Sequence, residues 1–198
     1  EIPERVNFRG EVIQPLDEEA VRKVVKDIEH KGVEAVAICY LFSFLNPKHE
    51  QRTAEIIREM LPATRISISS EILPVIREYE RLSTTMLNTY IMPKMQDYIE
   101  NLRKKLRANG FNKEYYIMQS SGGIMSSHVA GKRPVYTIDS GPAGGVSAAA
   151  DLGKLIGYPD VIAFDMGGTT TKVCVIKDGK PSVTTEFWVD GKYFSGAP

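Results

Sequence analysis

The chain has 198 residues, 42% of them hydrophobic, enough to bury a core in one large domain or in one domain plus part of another. Lys+Arg and Asp+Glu both number 25, so no net field exists to draw nucleic acid or an anionic membrane to the protein. No apolar stretch approaches the roughly 20 residues that span a bilayer, and the opening EIPERVNFRG lacks the charged-then-apolar profile of a secretory signal, so a soluble cytoplasmic protein is expected.

In chain order, the first strong pattern runs from Leu16 to Lys31. Ala20, Val21, Val24, Val25 and Ile28 recur there at helical spacing, with Asp17 as N-cap and Gly32 as stop. The near-continuous apolar run Val33 to Phe42 predicts a strand covered on both faces in a parallel sheet. A second helix is predicted with Asn46 as cap, Pro47 at its first position and an end near Met60, followed by a short strand from Arg65 to Ser69. Helix, strand, helix, strand is the order of an α/β domain. Two more helices are expected, Val75 to Ile91 and Pro93 to Ala108, the second carrying Glu100, Arg103, Lys104, Lys105 and Arg107 on a solvated face.

Tyr115 to Met118 reads as a strand leading into the turn Ser120-Ser121-Gly122-Gly123, most simply an ordinary Ser/Gly turn. A Gly- and Ala-rich helix follows from Ala143 to near Ile156, then a buried strand from Val161 to Phe164. The last feature is a hairpin with strands at Thr171 to Ile176 and Pro181 to Val189, where Asp178-Gly179 favours a type I′ turn. Cys39 and Cys174 sit in apolar runs and are expected as buried, reduced thiols; with three scattered histidines they give no zinc-ligand spacing. Glu1 at the start and the Gly/Pro-containing close WVDGKYFSGAP read as the ends of a piece cut from a longer chain.

The segment that points to chemistry is Asp165-Met166-Gly167-Gly168-Thr169-Thr170-Thr171. It joins two strands, which excludes a Walker A loop and a dinucleotide fingerprint, both of which open a helix. It offers an acidic residue at a strand end, two glycines whose N–H groups an anion can approach, and the hydroxyls of Thr169 and Thr170. Asp165 is suited to hold Mg²⁺ through water while the turn cradles phosphate. The same residues also suit a plain hairpin turn. Upstream, Ser140-Gly141-Pro142-Ala143-Gly144-Gly145 places Pro at the first position of a helix, a helix start of the kind that receives anions. Its glycines each cost helix propensity, about 1 kcal/mol relative to Ala, which points to close packing, to a hinge, or to both.

Four segments in order, REYERLSTT (Arg77 to Thr85), MQSSGGIMS (Met118 to Ser126), SGPAGGV (Ser140 to Val146) and FDMGGTTT (Phe164 to Thr171), resemble the hydantoinase A/5-oxoprolinase family and the ATP-binding subunits of acetone and acetophenone carboxylases. The resemblance covers essentially the whole chain. It implies an α/β, ribonuclease H-like fold of the actin/Hsp70 and sugar-kinase type, present in part as a mixed sheet with flanking helices. Residues 1–158 would then close the first lobe, with a connecting helix at 142–157, and residues 159–198 would open the second lobe with its phosphate hairpin. The implied activity is ATP-driven opening of a cyclic amide, a hydantoin or 5-oxoproline ring, by phosphorylation of the amide oxygen, with ATP and Mg²⁺ as cofactors and a hydantoinase B-type subunit or domain as partner. Asp165 would position Mg²⁺ or water, Gly167, Gly168, Thr169 and Thr170 would hold phosphate, and Gly141, Gly144 and Gly145 would form the hinge and the anion-facing helix start.

One departure stands out. Family members usually carry Asp at the position of Lys172, so a carboxylate role is missing there; a lysine brings positive charge to the phosphates if it points inward and does nothing on the outward face. Relatives also have a first phosphate hairpin before this region and an adenosine-binding portion after it, so this stretch alone is expected to bind ATP poorly or not at all. Two other activities fit the same resemblance: the carboxylase branch, in which the core activates bicarbonate or a ketone, and an actin-like or chaperone-like ATPase switch. Arg77 to Arg81 is read as an ion-paired, exposed helix segment.

Overall fold

The computed structural model describes residues 1–183, 186–189 and 192–195. Near the start, Asn7 Oδ1 accepts the N–H groups of Arg9 and Glu11, an Asx turn that Gly10 completes at φ +79°. It joins the short antiparallel pair β1 (Arg5–Val6) and β2 (Val12–Gln14). Helix α1 (Glu18–His30) begins as its sequence predicts, with Asp17 Oδ1 accepting from the Ala20 N–H at 2.9 Å and Glu18 and Glu19 in the first turn.

Strand β3 (Ala35–Ile38) pairs in parallel with β4 (Arg65–Ile68), and α2 (Lys48–Met60) makes the crossover between them. Val21 and Val25 of α1 and Ala54, Ile56 and Ile57 of α2 bury against Ile38 and Ile68. Each such aliphatic side chain stabilises by about 1.5–3 kcal/mol when fully buried. Strand β3 is shorter than its apolar run suggests and only half-buried before Ile38. Beyond the strand, the Tyr40 N–H goes to Glu50 Oε1 at 2.9 Å instead of to a ladder, and the chain turns through Phe42 at φ 58°. Helix α2 also starts one residue later than predicted: Pro47 is the cap residue, and Asn46 Oδ1 accepts from the Lys48 N–H at 3.3 Å.

Strand β4 runs directly into the single turn α3 (Ser69–Ile72). After a loop ending at Arg77, φ 84°, comes α4 (Glu78–Ala108), one helix of 31 residues where two were predicted. Pro93 lies inside it and removes the bond to the Thr89 carbonyl, a break that costs about 3 kcal/mol in an isolated helix. Burial of Asn88, Thr89 and Met92 on one face carries the helix through it. The charged positions Glu100, Lys104, Lys105 and Arg107 are exposed, as expected.

Residues 1–100 form one compact unit, to which β10 (Glu186–Val189) and β11 (Lys192–Ser195) are assigned, and residues 101–183 form another. In the latter, β5 (Tyr116–Met118) and β6 (Ile124–Ser126) make an antiparallel hairpin, followed by α5 (Ser127–Lys132), a 3-10 turn at Pro134–Thr137 and α6 (Ser140–Leu155). Then β7 (Val161–Met166) pairs antiparallel with β8 (Thr171–Lys177), and β9 (Lys180–Pro181) adds a third strand. Asp178 and Gly179, at φ 51° and 69°, make the predicted type I′ turn. The predicted strand Pro181 to Val189 is not continuous: β9 stops at Pro181, Thr184 and Thr185 lie outside the described residues, and β10 pairs with β11 instead.

Period-two alternation divides the β7–β8 hairpin into two faces. Val161 with Ile176 and Ala163 with Cys174 lie on the side of α6, and Ile162, Phe164, Met166, Val173 and Val175 on the other are 58–68% exposed. Cys39 and Cys174 are free and half-buried, less enclosed than their apolar surroundings suggest. Among the described residues no helix is long and apolar enough to cross a membrane.

Candidate functional site

The segment Asp165 to Thr171 folds as a strand, a turn and a strand, although β7 continues two residues past its predicted end, so Asp165 lies within the ladder opposite Lys172. The connection Gly167 to Thr170 is exposed. Its first amide is used internally, the Gly167 N–H donating to the Thr170 carbonyl at 2.9 Å. The N–H groups of Gly168, Thr169 and Thr170 make no backbone bond among the described residues, nor do the hydroxyls of Thr169 and Thr170. Neither glycine adopts a positive φ. A Cβ at Gly168 would meet no atom within 4 Å, and one at Gly167 only the Thr170 carbonyl oxygen at 3.8 Å. Neither backbone conformation nor packing within the chain therefore requires glycine at these two positions.

Beside the turn, α6 opens two residues earlier than predicted. Asp139 occupies the cap position in the left-handed region, φ 58°, which Asp tolerates better than most residues, and Pro142 falls inside the first turn, where its missing N–H costs nothing. The Asp139 side chain makes no capping bond; it accepts from Lys172 Nζ of β8. Both groups of this ion pair are partly exposed, 39% and 49%, so it contributes at most a modest stabilisation. Lys172 thus points to the side of the hairpin that faces α6, the inward case left open above.

Between the start of α6 and the hairpin lies a cleft of about 590 Å³, bordered by Gly141, Ala143, Gly145, Asp165, Lys172 and Cys174 among others. Gly141 and Gly145 have open space where a Cβ would stand, whereas Gly144 packs on Met118 of β5, a Cβ there lying 3.3 Å from the methionine Cε. The closest backbone approach is at Gly153, overlooked from sequence, where a Cβ would stand 2.6 Å from the Tyr158 carbonyl oxygen. The Ser120–Gly123 turn is structural: Ser120 Oγ donates to the carbonyls of Tyr136 and Ile138, and Gly122, φ 83°, leaves no room for a Cβ beside Ser147 Oγ. Among the described residues no group of three or more His, Cys, Asp or Glu side chains is placed to hold a metal ion.

Sequence reading also missed Asp139, although an Asp directly before Ser140-Gly141-Pro142 is a cap signal. It misjudged Arg81 as well: among the described residues Arg77 and Glu80 form the ion pair there, at 3.6 Å, and Arg81 is fully buried.

Comparison with known proteins assigns the chain. Residues 81–195 match the family model described as Hydantoinase/oxoprolinase. The chain belongs to the hydantoinase/oxoprolinase family. Residues 1–61 match the N-terminal region of the same family. Among hydantoinase/oxoprolinase relatives, an uncharacterized protein of Methanocaldococcus jannaschii is 42% identical over 196 residues, 99% of this chain and 29% of its own length. Caprolactamase subunit alpha of Pseudomonas jessenii is 35% identical over 182 residues, 92% of this chain and 26% of the relative. The crystal structure of the ATP-dependent caprolactamase from that organism superposes with a TM-score of 0.80 at 36% identity, covering 88% of this chain and 25% of the other. The nucleotide-free structure of acetone carboxylase, described with the mechanism of ATP-dependent acetone carboxylation, superposes with a TM-score of 0.86 at 27% identity over 98% of this chain and 28% of its own. The chain thus spans between a quarter and a third of the lengths of these relatives, and its fold is the mixed α/β arrangement they share.

Proposed function

We propose that this chain is part of an ATP-dependent hydrolase of cyclic amides and contributes one phosphate-binding hairpin to it. The observation that carries the reading is the exposed Gly167–Thr170 turn, with three unbonded amides and two glycines that the chain's own packing does not require, beside a carboxylate that borders a cleft. Successive free N–H groups in a turn are the kind of donors that bind anions. On this reading the finer fold is the actin/Hsp70-type ATPase core, with residues 1–158 in the first lobe and 159–198 opening the second.

ATP, when bound, would supply a phosphoryl group to the amide oxygen, making the ring carbon electrophilic so that water adds there, the C–N bond breaks with the ring nitrogen leaving, and phosphate is released by hydrolysis. The chain's own residues do the positioning. The amides of Gly168, Thr169 and Thr170 and the two threonine hydroxyls would orient phosphate oxygens and offset their charge, and Asp165 would hold a Mg²⁺ through water, which would supply further charge neutralisation. Gly167 closes the turn with its own amide, so its part is to let the anion approach. Gly141 and Gly145 keep the start of α6 open to the cleft, where the unpaired N–H groups of the first helical turn favour negative charge. Lys172, anchored by Asp139, brings a cation to the position where family members usually carry Asp.

The family description and the caprolactamase similarity support a lactam or hydantoin as substrate, and the subunit designation of that relative supports a partner subunit of the hydantoinase B type. The high structural similarity to acetone carboxylase supports a second reading, in which the same hairpin serves ketone or bicarbonate activation. The test is to incubate the full-length protein with a panel of lactams, cyclic imides and simple ketones, with and without ATP. Ring opening of a lactam or imide with stoichiometric phosphate release, lost in Asp165→Asn, is expected. Ketone carboxylation in its place selects the second reading, and ring opening at equal rate without ATP refutes the first.

A further inference from the structure

Arg81 is unusual in the compact unit built on residues 1–100. Its side chain is fully buried, and Nη2 donates to the Tyr40 carbonyl at 2.6 Å. Among the described residues its Nε and Nη1 have no hydrogen-bond partner, and the guanidinium makes no ion pair. Arginine stays charged in proteins, and a buried charge without a counter-charge or full hydrogen bonding is strongly unfavourable. Such a group implies a missing anionic partner.

The surroundings specify the place. Tyr40 follows β3 and Ser70 follows β4, so the guanidinium lies at the carboxyl ends of two parallel strands, where open α/β sheets bind their ligands. The nearest buried carboxyl, that of Glu50, is directed elsewhere: Oε1 accepts from the Tyr40 N–H and Ser69 Oγ, and Oε2 from the Ser70 N–H. Two more buried donors lack partners among the described residues, Ser70 Oγ in α3 and Thr84 Oγ1, the latter one helical turn beyond Arg81 on the same face of α4. The Phe44 ring lies 5.4 Å from the guanidinium carbon and shields it from water. Two non-glycine residues at positive φ flank the group, Phe42 in the turn before Phe44 and Arg77, whose carbonyl accepts the Arg81 N–H. Strain of this kind concentrates at ligand clamps.

We infer that Arg81, with the buried hydroxyls of its layer, is a binding site for a small oxyanion at the carboxyl ends of β3 and β4. Guanidinium N–H groups and hydroxyls serve a carboxylate and a phosphate alike, each offering several oxygens to donors that point different ways. The site is independent of the phosphate hairpin and of the activity proposed above.

The full-length protein is titrated with sodium formate and, separately, with inorganic phosphate, with chloride adjusted to constant ionic strength, and thermal unfolding is followed. A saturable rise in Tm with one of the two anions is expected, and which anion saturates identifies the ligand class. Arg81→Met should abolish that rise, and Arg81→Lys, which keeps the charge but loses the planar fork, should weaken the anion at least tenfold. Asp165→Asn should leave it intact, which separates this site from the hairpin. A wild type with no anion-specific rise, or a rise that persists in Arg81→Met or in Arg81→Lys at unchanged affinity, overturns the assignment. Should Arg81→Met fail to fold, the Lys variant decides alone.

Discussion

Replacing Gly168 by Ala should move stability and activity in opposite directions. The added methyl meets no atom within 4 Å, and the residue does not occupy the left-handed region, so the folded state accommodates it without strain. The unfolded chain loses freedom, which stabilises a protein by about 0.4–1 kcal/mol. For a domain the length of this chain that is a Tm rise of roughly 1–4 °C. On the proposed function the same methyl is added beside the amides on which a phosphate would rest. Displacing a reacting group by about 1 Å costs on the order of 10²-fold in rate, or about 2.7 kcal/mol of transition-state stabilisation. The assay pairs thermal unfolding of the full-length protein with kcat/KM for ATP. A variant whose Tm is unchanged or raised and whose kcat/KM is also unchanged would show that the turn touches no phosphate, and a fall of several degrees in Tm would show that the space above Gly168 is not open.

Gly153→Ala is the opposite case: its methyl would stand 2.6 Å from the Tyr158 carbonyl oxygen and 3.4 Å from Val161, so a loss of about 1–3 kcal/mol is expected in urea unfolding, and an unchanged midpoint refutes the close contact. Glu50→Ala strips the acceptor from the Tyr40 and Ser70 N–H groups, while Ser69 Oγ keeps Ser43 Oγ as a partner, and at about 1–3 kcal/mol for each buried donor left unpaired it should cost about 2 kcal/mol or more; a loss under 1 kcal/mol would mean that water replaces the carboxyl. The Tyr40 phenol is pushed up to about 12, chiefly by burial, with the Thr53 hydrogen bond opposing and Glu4 and Glu50 adding to the rise. Because its folded value is raised, the stability it contributes is complete below the ordinary value of 10.0 and is lost as pH climbs from there to about 12. Absorbance titration at alkaline pH should show the Tyr40 and Tyr136 phenols, both raised by burial, ionising late, with one fewer late phenol in Tyr40→Phe; ionisation of every tyrosine near 10 would refute the burial argument.

Elements signalled by neighbouring residues were legible in the sequence. Asp17 caps α1 through a bond three residues long, Asp178-Gly179 makes its type I′ turn, and the strand–turn–strand form of Asp165 to Thr171 follows from apolar runs on either side of two glycines. What escaped depends on distant partners. The run Val33 to Phe42 looks like one strand until Glu50, ten residues on, takes the Tyr40 amide. Pro93 is a strong local stop that buried neighbours override, and Arg81 sits among charged residues yet bonds to a carbonyl 41 positions away. At the candidate site, the glycines and Asp165 stood out for their composition, whereas the Lys172–Asp139 pair required knowledge of the register that lays β8 beside the start of α6.

The side of the β7–β8 hairpin away from α6 has a practical consequence. Five large apolar residues, Ile162, Phe164, Met166, Val173 and Val175, meet water together on a two-stranded surface, with Leu155 and Tyr158 exposed nearby in sequence. Clustered wetted hydrocarbon of this kind is a driving force for association. A solution of these 198 residues by themselves is therefore expected to bind hydrophobic dyes and to scatter light increasingly with concentration and salt, and charged replacements at Phe164 and Val175 should make it tractable for spectroscopy.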